Sequence, residues 1–567
     1  MPTHSPPPAP PQSRDDYDVV IVGAGFCGAS AATLLRRAVP GCRVLLIDRN
    51  RTTTHKVGEA TVEVSARFMT DVLGIGEHLR TCQLPKHGLR FWFTDARGRR
   101  LEEMSEIGPA AAPPLSTFQL DRSVLDEHIV SQAVEAGAEL VRPATVRSWD
   151  EGWPRQAISL SDADGQMRTV TCRWLLDASG RAAFVARRKR LLERTDDHPT
   201  NAVWARWEGV HDLDGPAFVG SPDGSGADSG ADSGREGSPR LRPLRARRRL
   251  ATNHFCGRGW WCWMIPLACG RTSVGLVWDS TLFDLPGEGD VQQRYQQFVR
   301  RQDGLRELLE GAHPVEGDVM AYRHLPYRSR RFADRGWLLL GDAGMFLDPF
   351  YSPGLDQASI STFSAVQVVR DDLMRQASRA GSAAPGNDGD PASEEELDAA
   401  LTSHDRRFDR SYRRWLEALY LGKYRLMGDA ELATTAFLVD TALYYLGVVG
   451  PVYRHVDAFA NPVFGLDLPQ STWSYRSMRW FSRRLQRLAE VRRRQGTYGR
   501  RNLGWRPRVV TFRLGPPALR PLAQGIAYWM RMEGSALLHS VVGRRRPATA
   551  PAATDVSSPP DESRRVA

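Results

Sequence analysis

Asp18-Val19-Val20-Ile21-Val22, followed at once by Gly23-Ala24-Gly25-Phe26-Cys27-Gly28 and then by the Ala-rich stretch Ala29 to Arg37, reads as buried strand, tight turn and helix. An unbroken apolar run suits a strand covered on both faces, as in a parallel sheet. Each glycine has its own reason. Gly23 permits the turn, Gly25 lets backbone approach a pyrophosphate, and Gly28 lets helix and strand pack closely. The helix N-terminus adds free amides and the positive end of a dipole. Twenty residues beyond Gly28, Asp48 follows the next strand, Arg43 to Ile47, where a carboxylate can accept hydrogen bonds from a ribose diol. Strand, turn, helix and acid together predict a dinucleotide-binding α/β domain of the doubly wound, Rossmann-like kind.

Working outward, the 567 residues allow three or four domains at roughly 150 residues each. Hydrophobic residues at 41% and charged residues at 25% exclude a chain disordered throughout and supply a large core. The net charge of +10 raises the question of an anionic partner. Only four of the 76 basic residues are lysines, however, and the arginines gather in runs, Arg247–Arg249, Arg492–Arg494 and Arg544–Arg546, that read as solvated faces. With no helix-turn-helix, zinc finger or RNA-binding signature, no nucleic-acid partner is expected. Seven scattered cysteines without a Cys-x-x-Cys pair fit neither a disulfide framework nor a metal site, which points to a reducing compartment. The most apolar stretch, Phe437 to Tyr453, contains Asp440 and Pro451, and Met1 to Arg14 lacks the apolar core of a secretory signal. No membrane span and a cytoplasmic location are the expectations.

Composition also divides the chain. Residues 1–15, a Gly/Ser/Asp-rich insertion at about 221–249, a linker at 378–392 and the tail 546–567 are predicted to be disordered. Residues 16–377 form the predicted α/β unit, in which strands return from Trp260 and a second sheet-containing part is interleaved with the first. A C-terminal helical domain is predicted over 393–545. It opens at Ser393, which with Glu396 can form a capping box, and continues with Leu397, Leu401, Phe408, Tyr412, Trp415 and Leu419 on one helix face. Tyr444, Tyr445 and Trp473 either line a pocket or fill the core, and core packing is the expected role.

A second strand-to-turn element, Trp337-Leu338-Leu339-Leu340-Gly341-Asp342-Ala343, carries an acid that can meet a second ribose or a ribityl chain. Together with Gln119-Leu120-Asp121-Arg122 and Asp177-Ala178-Ser179-Gly180, it resembles the FAD-dependent monooxygenase superfamily, whose members bind FAD along the whole first domain. Within that superfamily, residues 16–370 resemble the flavin-dependent halogenases, nearer the phenol/pyrrole-type members. Trp261-Cys262-Trp263-Met264-Ile265-Pro266 matches the family's Trp-x-Trp-x-Ile-Pro pattern. Phe346-Leu347-Asp348-Pro349-Phe350-Tyr351-Ser352-Pro353-Gly354 matches Phe-x-x-Pro-x-x-Ser-x-Gly. Lys86, downstream of Gly58-Glu59-Ala60, sits where the family places its essential lysine.

The resemblance implies an enzyme of antibiotic biosynthesis that installs chlorine or bromine on an electron-rich aromatic, free or tethered to a carrier protein. The implied route runs through flavin hydroperoxide, hypohalous acid and Lys86. A buried lysine suits that role because desolvation lowers its pKa. FAD, dioxygen and chloride or bromide are the implied cofactors. No second glycine fingerprint marks a nicotinamide domain, so reduced FAD is expected from a separate flavin reductase. Cofactor contacts are expected from Gly23, Gly25, Gly28, Asp48, Lys56, Gly58, Glu59, Arg122, Gly341 and Asp342. Substrate or halide contacts are expected from Trp261, Trp263, Ser352, Gly354 and Leu355, with no metal. Lys56, in a loop read as lying over the flavin, is the second candidate for the catalytic lysine.

Two positions depart from the pattern. Tryptophan halogenases carry Glu before the motif serine, where this chain has Tyr351; that points away from free tryptophan and towards a phenol or pyrrole that loses its proton without a dedicated carboxylate. Pro353 lacks the backbone N–H that family members offer to the halide, leaving the amides of Gly354 and Leu355, with Asp356 adding negative charge nearby. The alternative is a monooxygenase or oxidoreductase of the same fold that works without halide, and a third reading is a flavin- or nucleotide-binding scaffold without turnover, or a basic interaction protein.

Overall fold

The strand Asp16–Val22 pairs in parallel with Val44–Ile47 on one side and with Met167–Asp177 on the other, so that Val19 stands between Val44 and Trp174. Glu139–Val141 and Trp337–Leu339 extend this sheet, also in parallel, and Thr145–Asp150 and Gln156–Ser161 add an antiparallel margin. These elements belong to a computed structural model that describes residues 15–94, 100–220, 241–380, 391–466 and 469–543. Both faces of the first strand are covered, which explains its lack of alternation. Val19 and Ile21 pack with Leu35 of the helix Phe26–Ala38, while Val20 packs on the other face with Leu45 and Trp337.

A second sheet runs, in spatial order, through His313–Pro314, Thr200–Glu208, Thr272–Asp279, Trp260–Pro266, Thr252–Gly257, Leu89–Phe93 and Ser105–Ile107. Its neighbours are antiparallel except for Thr252–Gly257 beside Leu89–Phe93. Period two divides Trp260–Pro266 between two cores: Trp261, Trp263 and Ile265 face one, and Trp260, Cys262 and Met264 the other. Opposite Trp263 stands Gly275, where an added Cβ would come within 2.1 Å of the indole. The glycine is what lets that ring lie over the neighbouring strand.

From Gly354 onward the described elements are helices: Gly354–Ala380, Pro391–Trp415, Ala430–Tyr444, Pro469–Arg494 and Leu519–Gly543 are the long ones. The fold is therefore α/β with a helical C-terminal region. The stripe from Leu397 to Leu419 is buried along its length, as the helical period requires, and its helix starts at Pro391, ahead of Ser393. One continuous run, Ala430–Arg454, is long and apolar enough to cross a membrane, but most of it is buried inside the protein against the helices Leu519–Gly543 and Pro469–Arg494.

In two of the arginine runs one member departs from the expected solvated face, while Arg247, Arg249, Arg493 and Arg494 are exposed as expected. Arg248 is 1% exposed and its guanidinium grips Glu106 at 2.7 and 3.0 Å, so the end of the predicted disordered insertion, Leu241–Arg249, is anchored to the fold through buried Leu241, Ala246 and Arg248. Arg492 is buried against Asp429 and Glu431. A planar guanidinium can enter the interior when carboxylates meet its forked donors, a pairing that composition does not reveal. The other predicted disordered segments fall largely on residues 1–14, 221–240, 381–390 and 544–567, outside the described residues.

Candidate active site

The glycine turn is held by backbone contacts. Gly23 has a φ of +103°, and a Cβ there would meet the Ala178 carbonyl oxygen at 2.4 Å. At Gly28 it would meet the Gly23 carbonyl oxygen at 1.9 Å. At Gly25 it would meet only side chains, with Lys56 Nζ at 3.1 Å, so the space above the turn stays open to a ligand. Asp48 braces the turn: its carboxylate accepts from the Ala24 amide at 2.7 Å and from the Asn50 amide at 2.8 Å.

Lys56, Val57, Gly58, Glu59 and Ala60 wall the same cavity. Arg122 holds this loop, donating to the carbonyls of Val57 and Gly58 at 3.2 and 3.3 Å and to both oxygens of Asp126 at 2.9 and 3.0 Å. Lys56 pairs with the same Asp126 at 2.8 Å. Burial alone would raise the Asp126 pKa, but the two cations hold it below the usual carboxylate range. Sequence reasoning missed Asp126, although it lies four residues after Arg122 on the helix Arg122–Glu135, where i,i+4 pairing places it on the same face. Burial pushes Glu59 up to about 7, against the pull of Ser273, Arg122 and Arg206.

Gly341 and Asp342 lie close by, Gly341 with a φ of +54° and an added Cβ only 2.8 Å from Cys27 Sγ. The Asp342 side chain lines the cavity and accepts no hydrogen bond from the described protein, and burial raises its pKa. A shielded acceptor without a donor, an open glycine turn and a helix N-terminus fit a ligand that brings hydroxyls and phosphates, as FAD does.

Trp261 and Trp263 line this first cavity with ring centres 5.7 Å apart. Trp263 donates to Ser273 at 3.1 Å and Trp261 to the Tyr424 hydroxyl at 2.9 Å. Tyr424 donates to Asp348, which also meets His198, each at 2.9 Å. Buried indole N–H groups need such acceptors. His254, 5.2 Å from the Trp261 ring, was also missed; burial and the charge of Lys86 bring its pKa down to about 3, so it is a neutral imidazole.

Lys86 lies in a second cavity. It follows the short strand Leu84–Pro85, its amide donates to the Thr117 carbonyl at 2.7 Å, and its Nζ donates to the Thr61 carbonyl at 2.7 Å. The side chain is 4% exposed. Burial lowers its pKa to about 8, against the carboxylates of Glu63 and Asp356. Lys56 does not line this cavity. Thr61, Glu63 and Lys86 come from the α/β unit, and Phe437, Asp440, Thr441 and Tyr444 come from one face of the helix Ala430–Tyr444, at helical spacing.

Tyr444 and Tyr445, expected in the core, line this cavity, and their hydroxyls donate to Asp356 at 2.5 Å and Glu63 at 2.6 Å. A sheltered phenol requires an acceptor, and here the acceptors come from distant parts of the chain. Trp473 is 60% exposed and does neither job. Burial raises Asp356 to about 7, against hydrogen bonds from Tyr444 and Ser65, so much of its negative charge is quenched near neutral pH.

The segment from Tyr351 to Asp356 divides the cavities. Tyr351 and Asp356 face the Lys86 side, Ser352, Gly354 and Leu355 face the glycine turn, and Pro353 lines both. Tyr351 and Ser352 have φ values of +70° and +58°, a left-handed pair that is strained for residues with side chains. Gly354 and Leu355 open the helix Gly354–Ala380, so their amides have no acceptor within it, an arrangement that suits a small anion. Pro353 contributes only its carbonyl, which accepts from the Gln357 amide at 3.0 Å.

Residues 16–206 match the family model described as an FAD binding domain. Among curated proteins, the chain is 26% identical over 374 residues to flavin-dependent halogenase armH3 of Armillaria mellea, covering 62% of this chain and 67% of that protein. It is 26% identical over 364 residues to tetracycline 7-halogenase of Kitasatospora aureofaciens, covering 60% of each. The chain spans 57–67% of the length of the first curated relatives it matches. The structure of halogenase PltM in complex with phloroglucinol and FAD shares the fold, with a TM-score of 0.65 over 91% of this chain and 98% of that one, at 17% identity.

Proposed function

We propose that this chain, which matches the FAD binding domain model and is similar to flavin-dependent halogenases, is an FAD-dependent enzyme that installs chlorine or bromine on an electron-rich phenol or pyrrole. The observation that carries the reading is the placement of Lys86: a dry amine in a cavity of its own, set apart by the Tyr351–Asp356 segment from the cavity that fits FAD. When bound and reduced, FAD supplies with dioxygen the oxidising power that turns halide into an electrophilic halogen. The glycine turn, Asp48, Arg122, Lys56, Glu59 and Asp342 hold the cofactor. The amides of Gly354 and Leu355 hold the halide, and Trp261 and Trp263 keep the organic ring away from the flavin. Lys86 receives the hypohalous acid, either by donating a hydrogen bond to it or by taking the halogen onto nitrogen, and delivers the halogen to a ring carbon.

A separate flavin reductase supplies the reduced cofactor, and the substrate is either free or carried on a protein. The test is incubation of pure protein with reduced FAD, dioxygen, chloride or bromide, and a panel of phenols and pyrroles that includes phloroglucinol, the ligand named for the PltM structure. Halogenated product is expected. Lys86→Ala is expected to abolish it while FAD still binds and is still reoxidised. Pro353 favours a second reading, a monooxygenase or oxidoreductase that uses no halide, and products that gain oxygen but never halogen decide for it.

A further inference from the structure

Two residues outside every matched motif shape the Lys86 cavity. Lys423, 2% exposed, donates to Asp440 Oδ2, and the Tyr351 hydroxyl donates to the same oxygen at 3.3 Å. The Lys423 ammonium also lies 5.9 Å from the centre of the Tyr351 ring. Asp440 Oδ1 accepts nothing from the described protein, and the residue lines the cavity. Glu63 repeats the arrangement: Oε1 accepts from Tyr445 and Oε2 accepts nothing from the described protein. Asp356, the third carboxylate, has one oxygen engaged by the Ser65 amide and the other by Tyr444.

A sheltered carboxylate oxygen without a donor calls for a ligand that brings one. Much of the rest of the wall is apolar, and the rings of Trp415, Phe437, Phe464 and Phe512 within it suit a flat ring. The ligand is therefore an arene with hydroxyl donors on its edge. We propose that Asp440 accepts the phenolic hydroxyl of the substrate and takes its proton as the halogen arrives, with Glu63 receiving a second hydroxyl where the ring carries one. This rests on the halogenase reading, which supplies the electrophilic halogen as hypohalous acid or as the N-halogenated amine of Lys86.

In the step, a π pair of the ring forms the carbon–halogen bond while the halogen's bond to oxygen or nitrogen breaks, its pair staying on that atom. The O–H proton passes to Asp440, giving a neutral dienone. The ring C–H proton then leaves through water to the oxygen or nitrogen that lost the halogen, and Asp440 returns its proton to restore the phenol. Lys423 and Tyr351 are positioning residues that fix the acceptor. Burial raises Asp440 against the pull of Lys423, which makes it a better proton acceptor than a surface carboxylate.

The experiment measures binding of phloroglucinol and of 1,3,5-trimethoxybenzene, which has the ring but no hydroxyl donor, to FAD-loaded protein without turnover. Wild type is expected to prefer phloroglucinol by about tenfold or more, as a charge-assisted hydrogen bond provides. Asp440→Asn, which leaves Glu63 to receive one hydroxyl, is expected to cut that preference by about threefold or more. Because Asp440→Asn leaves the Lys423 ammonium unpaired, the neutral pair Lys423→Met/Asp440→Asn is measured beside it, and both are checked for folding by circular dichroism. An unchanged preference in either folded variant overturns the proposal, and so does a wild type that binds the ether as well as the phenol. An Asp440-dependent preference in a protein that makes no halogenated product sinks only the halogenase reading.

Discussion

Lys86 is placed at a thermodynamic disadvantage. Its amine titrates near 10.5 in the unfolded chain and near 8 in the folded one. Between those values the unfolded chain binds more protons, so stability rises with pH across that window. Below about pH 8 the full penalty is present, about 3 kcal/mol for a shift of this size, and above about 10.5 it is gone. Lys86→Met is therefore expected to stabilise the protein at pH 7 by up to about 3 kcal/mol, reduced by loss of the bond to Thr61, and the gain should fade as pH climbs from 8 to 10.5. Denaturant titrations of both proteins at pH 7, 9 and 10.5 check this; a variant less stable at every pH would contradict it. Lys86 was legible as a residue because lysine is so rare in this chain and because it stands beside motifs. Asp440 was not, since its partners Lys423 and Tyr351 meet it only when the chain folds back, and a lone Asp in an apolar run carries no signal.

At the scale of elements, the decisive one is the turn that feeds the helix Gly354–Ala380. Its two left-handed residues swing alternate positions to opposite sides, so Tyr351 reaches the Lys86 cavity and Ser352 the other. Pro353 lacks the amide that any other residue would bring to this turn. Pro353→Ala is expected to add a donor and lower the halide KM by about threefold or more, consistent with one additional hydrogen bond to an anion. Halide titration at saturating organic substrate and reduced FAD checks it, and an unchanged KM would show that the halide does not rest on this backbone. The glycine turn, the tryptophan strand and the amphipathic helix from Leu397 were readable because period and glycine chemistry are local. The Arg122–Asp126–Lys56 cluster was legible only in part: the two cations stand in or beside motifs, but the anion that joins them lies one helical turn past Arg122 in a stretch with no motif of its own.

At the scale of the molecule, the helical region is held by charge as well as by apolar packing. Glu431, 1% exposed, receives Arg492, Arg500, Arg501 and Arg531, which come from two different long helices and the segment between them. Burial would raise this carboxyl, but the surrounding arginines hold it below the usual range. Removing it strands Arg492 in the interior beside Asp429 alone. Glu431→Ala is expected to destabilise the protein by about 3 kcal/mol or more, while a surface control such as Glu490→Ala changes little. Thermal or denaturant unfolding measures both. Apolar spacing indicated a helical C-terminal region and composition an excess of arginine, but neither could show which arginines are structural, because burial of a guanidinium depends on carboxylates far away in sequence.

Lysine scarcity has a practical side. Lys86 and Lys423 are enclosed, and the remaining two, Lys56 and Lys189, are each held by a carboxylate, Asp126 and Glu151. Coupling of a dye or a resin to lysine side chains of the folded protein must therefore fall mainly on Lys56, whose side chain is 41% exposed, and Lys189. Because Lys56 stands at the glycine turn, such attachment would fall in the cavity proposed to take FAD; tethering through carboxylates or an added tag avoids it.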